Sequence, residues 1–247
     1  MSAINSSEAA VPTRHELVYA RIAGAMYLLG DGMLELGDMV TSRVARDSAF
    51  VDNAHRIAAA EGMYRFGTAC HVVTTLTLIW LAVAFYVVLK PVDSRLALVA
   101  LLFWVVETSV SAFMNIFDFV SLRLSLSAAS TAAAELPALG QLAGFSDYMS
   151  GQAFNLGVIV FSMGSMLFYF LFLKSSYIPR VIAGFDLAAS ALVMLIGFTN
   201  LLYPAFSTFA GYGYIPMSIA EFGTGFWLVI VGIKATPNGS EPIVTSQ

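Results

Sequence analysis

The sequence predicts an all-α membrane protein, a polytopic bundle of six transmembrane helices with both termini in the cytoplasm. Three observations lead there. The 247 residues are 58% hydrophobic and only 11% charged, where ordinary soluble domains carry roughly 25% charged residues. The apolar residues fall in blocks near the ~20 residues a helix needs to cross ~30 Å of hydrocarbon. The alternating segments of ~10 residues that mark a transmembrane β-barrel do not occur.

The polar tail at 1–16 lacks the apolar core of a cleaved signal peptide, so the first span itself is expected to direct insertion. Span one runs from Leu17 to Val40. Span two covers Met63 to Leu89 and span three Leu96 to Leu122. Span four covers Gln152 to Leu173, span five Val181 to Tyr203 and span six Ile215 to Ile233, within a membrane domain at 17–234. A flexible C-terminal tail follows at 235–247. Two connections, 90–95 and 174–180, are short, and Pro91 and Pro179 punctuate them. The connections at 41–62 and 123–151 are longer, and the second reads as either a surface helix or a mobile loop.

Lys and Arg set the sidedness. An inside N-terminus puts Arg14, Arg21, Lys90, Arg95, Lys174, Arg180 and Lys234 on the cytoplasmic side. Arg43, Arg46, Arg56, Arg65 and Arg123 then lie outside. A short internal echo links Tyr19–Gly24 in span one with Tyr177–Gly184 before span five, and Arg65-Phe-Gly-Thr68 with Glu221-Phe-Gly-Thr224. The net charge of −4, without a basic cluster, excludes nucleic acid as a partner. The single cysteine, Cys70, cannot form an intramolecular disulfide.

The stretch GDGMLELGD, residues 30–38, places three acids inside span one. On a helical wheel with Asp31 at zero, Glu35 falls near ~40° and Asp38 near ~−20°. Ile22, Met26, Leu29, Met33, Leu36 and Val40 lie opposite and are expected to face lipid. Acids on one face of a spanning helix look into the bundle. His71, Thr74 and Thr75 share a face of span two; Glu107, Ser111 and Asn115 share a face of span three. Asn155 in span four and Glu221 in span six lie at similar depth, whereas Asp186 in span five lies close to the cytoplasmic end. An outward-facing cavity is therefore expected, with Glu107, Glu221 and Asp38 as its reactive acids. Asp31, Glu35, His71, Asn115 and Asn155 are its expected ligand-binding groups.

Buried carboxylates are costly unless paired or protonated, and His71 is the only internal base. The acids must then share protons, hold a cation, bind a cationic or hydroxylated ligand, or line a wet space. A divalent metal is one solution, with Glu35, His71, Glu107 and Glu221 as ligands, although the sequence requires none. A metal-free pocket that binds or converts a lipid- or isoprenoid-like molecule by acid/base chemistry is the leading reading, as enzyme or as binding protein. A proton- or cation-coupled transporter of small molecules is the alternative. A structural membrane protein, with polar groups as interhelical glue, is the third. His15 and His55 lie outside the spans. No P-loop, GxSxG, CxxC or HExxH occurs, and no Lys stands in the membrane interior to hold retinal.

Several short motifs occur in a fixed order. Arg21-Ile-Ala-Gly-Ala-Met-Tyr opens span one, Glu61-Gly-Met-Tyr-Arg-Phe-Gly opens span two, and Tyr86-Val-Val-Leu-Lys-Pro91 ends it. Phe103-Trp-Val-Val-Glu107, Tyr177-Ile-Pro-Arg and Ile219-Ala-Glu221-Phe follow. In order and spacing they resemble a family of bacterial membrane proteins known as domain of unknown function 4386, over roughly residues 15–235. The resemblance implies a six-helix protein of the bacterial inner membrane without a settled activity. It sets Asp38 at the acid position of span one and matches Glu107 and Glu221 to the acids of spans three and six. Asp31, Glu35 and His71 depart from the family pattern.

Overall fold

A computed structural model describes residues 13–46, 49–203 and 211–234. Residues 1–12 of the polar tail and the C-terminal tail at 235–247 lie outside the described residues. Seven α-helices are present among the described residues: α1 (Arg14–Val44), α2 (Phe50–Ala59), α3 (Glu61–Leu89), α4 (Ser94–Ala128), α5 (Leu136–Ser175), α6 (Arg180–Leu202) and α7 (Ile215–Ile230). A 3-10 turn at Gly211–Tyr214 leads into α7.

Local chemistry sets the helix ends. Thr13 and Glu16 form a capping box: the Glu16 N–H donates to Thr13 Oγ1 at 3.3 Å, and the Thr13 N–H donates to Glu16 Oε2 at 2.7 Å. The helix thus starts inside the stretch expected to be a tail. Asp93 caps α4 by accepting from the Arg95 and Leu96 N–H groups, both at 3.1 Å. Ser176, in the left-handed region at φ 56°, ends α5, and Pro179 then starts α6.

Four helices, α3, α4, α5 and α6, are long and apolar enough to cross a membrane. The chain is thus an integral membrane protein with four evident spans. The other two expected spans miss that measure for different reasons. The 31 residues of α1 reach ~46 Å but carry Asp31, Glu35 and Asp38. The 16 residues of α7 reach only ~24 Å.

Most of the stretch at 123–151 is neither a separate surface helix nor a loop but part of the two flanking helices, with a short turn at 129–135 between them. Helix α4 continues to Ala128 and α5 begins at Leu136. Its Ala- and Leu-rich sequence has high helix propensity, and cross-links hold the two helices together. Ser146 donates to the Phe117 carbonyl at 2.7 Å and Ser150 to Asp118 Oδ1 at 2.6 Å. The 40 residues of α5 measure ~60 Å, about twice the hydrocarbon thickness. The short helix α2 covers the same end, where Val44, Ile57 and Leu122 form a small cluster.

The six long helices form a ring. Helix α1 packs on α3 and α7, α4 on α3 and α5, and α6 on α5 and α7. At the end with the short connections the ring is filled. Tyr27, Phe85, Trp104, Phe168, Tyr169 and Phe172 are fully buried there. Phe168 meets Phe85 edge-on at 5.4 Å and Trp104 at 4.9 Å, while Phe161 stacks on Trp104 at 5.2 Å. The Trp104 indole donates to the Phe161 carbonyl at 3.1 Å. Towards the other end the ring is open inside. Large apolar side chains such as Leu76, Trp80, Leu102, Phe113 and Leu195 point outward, as lipid-facing residues do.

The glycines of GDGMLELGD explain how closely α1 sits in this ring. A Cβ on Gly37 would lie 2.5 Å from the His71 ring, and one on Gly30 would lie 2.7 Å from Thr77 Oγ1. Small residues let the backbones of α1 and α3 touch, as transmembrane pairs require. Thr74 uses this closeness to donate to the Gly30 carbonyl at 3.0 Å.

Candidate functional site

The open half of the ring encloses a cavity of about 350 Å³. All six long helices line it. Asp31, Glu35 and Asp38 come from α1, His71 from α3, Glu107 from α4 and Glu221 from α7. Helix α5 contributes Phe154, Gly157 and Phe161, and α6 contributes Val193. Most of the wall is apolar, with Met26, Leu34, Leu78, Leu81, Met114 and Met217 between the acids. No Lys or Arg lines it.

Glu107 is the least exposed of the lining acids. The residue is 8% exposed. The Ser111 hydroxyl, one turn along α4, donates to its Oε1 at 2.5 Å. Its Oε2 is buried without a hydrogen-bond partner. Gly157 leaves space opposite, since a Cβ there would stand 3.8 Å from Glu107 Oε1. Glu221 faces Asp31 across the α1–α7 junction and feels Glu107 as well. Asp31 Oδ2 is likewise buried and unpartnered.

Nearer the open end, Asp38 Oδ1 lies 3.0 Å from His71 Nε2, with the carboxylate side chain 67% exposed. The two are within ion-pair range without being aligned for a hydrogen bond, because His71 Nε2 has no aligned acceptor. Glu35 is also exposed. Asp38 thus belongs to the rim, while Asp31 lines the wall with Glu221 and is near enough to repel it electrostatically.

Six of the eight candidate residues line this one cavity. Asn115 stands one shell back: its amide donates at 2.9 Å to Thr75 Oγ1, and Thr75 lines the wall. Asn155 lies outside the lining and accepts from the Asn200 amide at 3.4 Å. The four proposed metal ligands, Glu35, His71, Glu107 and Glu221, do not gather. Among the described residues no three His, Cys, Asp or Glu side chains converge as a metal site. They come from four helices and occupy different depths between rim and floor.

One expectation about α1 needs correction. The back of α1 is not wholly lipid-facing, since Met26 lines the cavity and Val40 is buried. A helix held between two neighbours buries more than one stripe, and α1 has α3 on one flank and α7 on the other. Asp186, close to the start of α6 as expected, is fully buried. Its Oδ2 accepts from Thr224 Oγ1 at 2.7 Å, joining α6 to α7, and Tyr169 faces the same carboxyl.

Tyr27 and Tyr214 are wall residues that were not singled out as candidates. Tyr27 shares the acidic face of α1, so the wheel held a signal for it. Tyr214, in the turn that leads into α7, stands seven residues before Glu221 and shares its face, so the period held a signal for it as well. Beneath the floor the Tyr27 and Tyr169 hydroxyls are 2.7 Å apart and fully buried.

No curated protein and no solved structure matches the chain. Residues 22–232, which include every lining residue, match the family described as Domain of unknown function (DUF4386), and the chain belongs to that family.

Proposed function

We propose that this chain is a six-span protein of the bacterial inner membrane, with cytoplasmic termini, that takes a hydrophobic small molecule into the acid-lined cavity from the outer side. There it binds a lipid- or isoprenoid-like molecule or converts it by acid/base chemistry. One observation carries the reading: Glu107 presents a buried, unpartnered Oε2 in a chamber whose wall between the acids is largely apolar. Ser111 occupies Oε1, so Oε2 is the oxygen that holds the proton when Glu107 acts as general acid. Glu221, with Asp31 beside it, stabilises positive charge developing on the substrate. Asp38 and His71 at the rim exchange protons with the outer medium.

The six-span arrangement is supported by ring closure, because α1 and α7 fill the gap between α3 and α6. The orientation is supported by Lys90, Arg95, Lys174 and Arg180, which flank the short connections at the closed end. The test is mass spectrometry of lipids extracted from the purified protein. Wild type should carry a species enriched over bulk lipid, and Glu107→Gln and Glu221→Gln should lose or change it. Identical extracts and unchanged stability in both variants would remove the cavity from consideration.

A second reading, proton-coupled transport, is favoured by the buried chain below the floor. Tyr27 meets Tyr169, Tyr169 faces Asp186, and Asp186 accepts from Thr224. This chain leads from the cavity towards the closed end. On that reading, proton-driven uptake into proteoliposomes collapses in Glu107→Gln and slows in Tyr169→Phe.

A further inference from the structure

We infer that the molecule this cavity takes is a lipophilic organic cation, its ammonium group held among Asp31, Glu107 and Glu221 and its apolar body along the wall. The inference rests on the reading that the cavity admits a hydrophobic molecule, and it names the charge of that molecule.

Among the described residues the wall carries five acids and a single base. His71, the base, already faces Asp38 at the rim. The inner acids have no cation of their own. Glu107 Oε2 and Asp31 Oδ2 are both buried and unpartnered. A neutral lipid can at most donate one hydroxyl to these oxygens and leaves their charge unmatched, and an anion is repelled by them. A substituted ammonium supplies the missing positive charge, and where it bears N–H groups it also donates hydrogen bonds.

An inorganic cation is a poorer fit. Hard divalent ions need several oxygens converging on one point, and no three acidic or imidazole groups converge among the described residues. A diffuse organic cation does not need that convergence. It also gains from aromatic walls, since ring faces attract a cation within about 6 Å of their centres. Phe154 and Tyr214 form such a wall, with rings 5.8 Å apart. The volume of about 350 Å³ suits a single small amphiphile.

The experiment uses full-length protein in lipid nanodiscs, with empty nanodiscs to subtract partitioning. Radiolabelled decylammonium, which carries both the charge and N–H donors, is the probe, and neutral decanol and anionic decanoate are chain-matched competitors. Saturable cation binding is expected, with both competitors weaker by about tenfold or more, the size of one charge-assisted contact. Glu107→Gln and Asp31→Asn should each weaken the cation by about tenfold and leave decanol unchanged. Gly157→Leu, which fills the space facing Glu107 without altering charge, should block the cation. Unchanged melting temperatures in the Gln and Asn variants establish that folding is retained.

If decanol competes as well as the cation, or if decanoate binds best, the charge assignment is wrong while the hydrophobic cavity stands. Undiminished cation binding in the double variant Asp31→Asn/Glu107→Gln also overturns the assignment. If none of the three molecules shows saturable binding, the assignment and the hydrophobic-cavity reading fall together.

Discussion

Replacing Gly24 by Ala separates what the sequence implies from what the structure dictates. The echo between Tyr19–Gly24 and Tyr177–Gly184 makes Gly24 and Gly184 equivalent positions. In space they are not. A Cβ on Gly24 would lie 2.7 Å from the Gly225 carbonyl oxygen, 2.7 Å from the Val229 nitrogen and 2.8 Å from Leu228 Cβ. Two of these are backbone atoms of α7, so relief requires the whole helix to move. A Cβ on Gly184 meets nothing within 4 Å. Both substitutions gain the same helix propensity, up to ~1 kcal/mol, so that contribution cancels in the comparison. The remainder is the overpacking cost at α1–α7, ~1–3 kcal/mol. At ~2–4 °C per kcal/mol for a chain of this size, Gly24→Ala should melt roughly 2–12 °C below Gly184→Ala. The assay is thermal unfolding of both variants in one detergent, followed by circular dichroism and tryptophan fluorescence. Equal melting temperatures, or a lower value for Gly184→Ala, would refute the close α1–α7 crossing.

Three further outcomes are expected. Thr224→Val removes the one aligned donor to the buried Asp186 carboxyl and should destabilise by about 1–3 kcal/mol, with Thr224→Ser close to wild type in denaturant titration. Trp104→Ala empties the fully buried centre of the aromatic cluster and should cost about 3–5 kcal/mol; Trp104→Phe, losing mainly the indole hydrogen bond, should cost about 1 kcal/mol. In a Cys70→Ala background, Asp38→Cys should react with a membrane-impermeant maleimide applied from the outer face of intact cells. Labelling only in inverted vesicles would reverse the proposed orientation.

Much of the architecture was legible in the residues. Span ends came within a few residues wherever Pro, Lys or Arg punctuated the apolar run, as at Lys90–Pro91 and Pro179–Arg180. The beginning of α5 was not legible, because a hydropathy pattern marks where apolar residues stop rather than where a helix does. Leu136–Gly151 is helical through backbone propensity and contact with α4. For the site, the 3.6-residue period placed Asp31, Glu35 and Asp38 on a common face, and all three line the cavity. The same period misplaced Met26 and Val40, because a wheel describes one helix and ignores its neighbours. Asn155 was included for its depth, but depth does not fix rotation about the helix axis.

The sequence by itself determined that the chain is helical and membrane-embedded, and that GDGMLELGD turns acids to one side. Those are consequences of composition and of a fixed turn per residue, both local. Only the tertiary structure decided which acids meet. It brought Asp31 and Glu221 into one cavity wall and left Asp38 with His71 at the rim, and it buried Asp186 against Thr224. Those pairings depend on how closely neighbouring helices approach. Here Gly24, Gly30 and Gly37 set that distance through the side chains they lack.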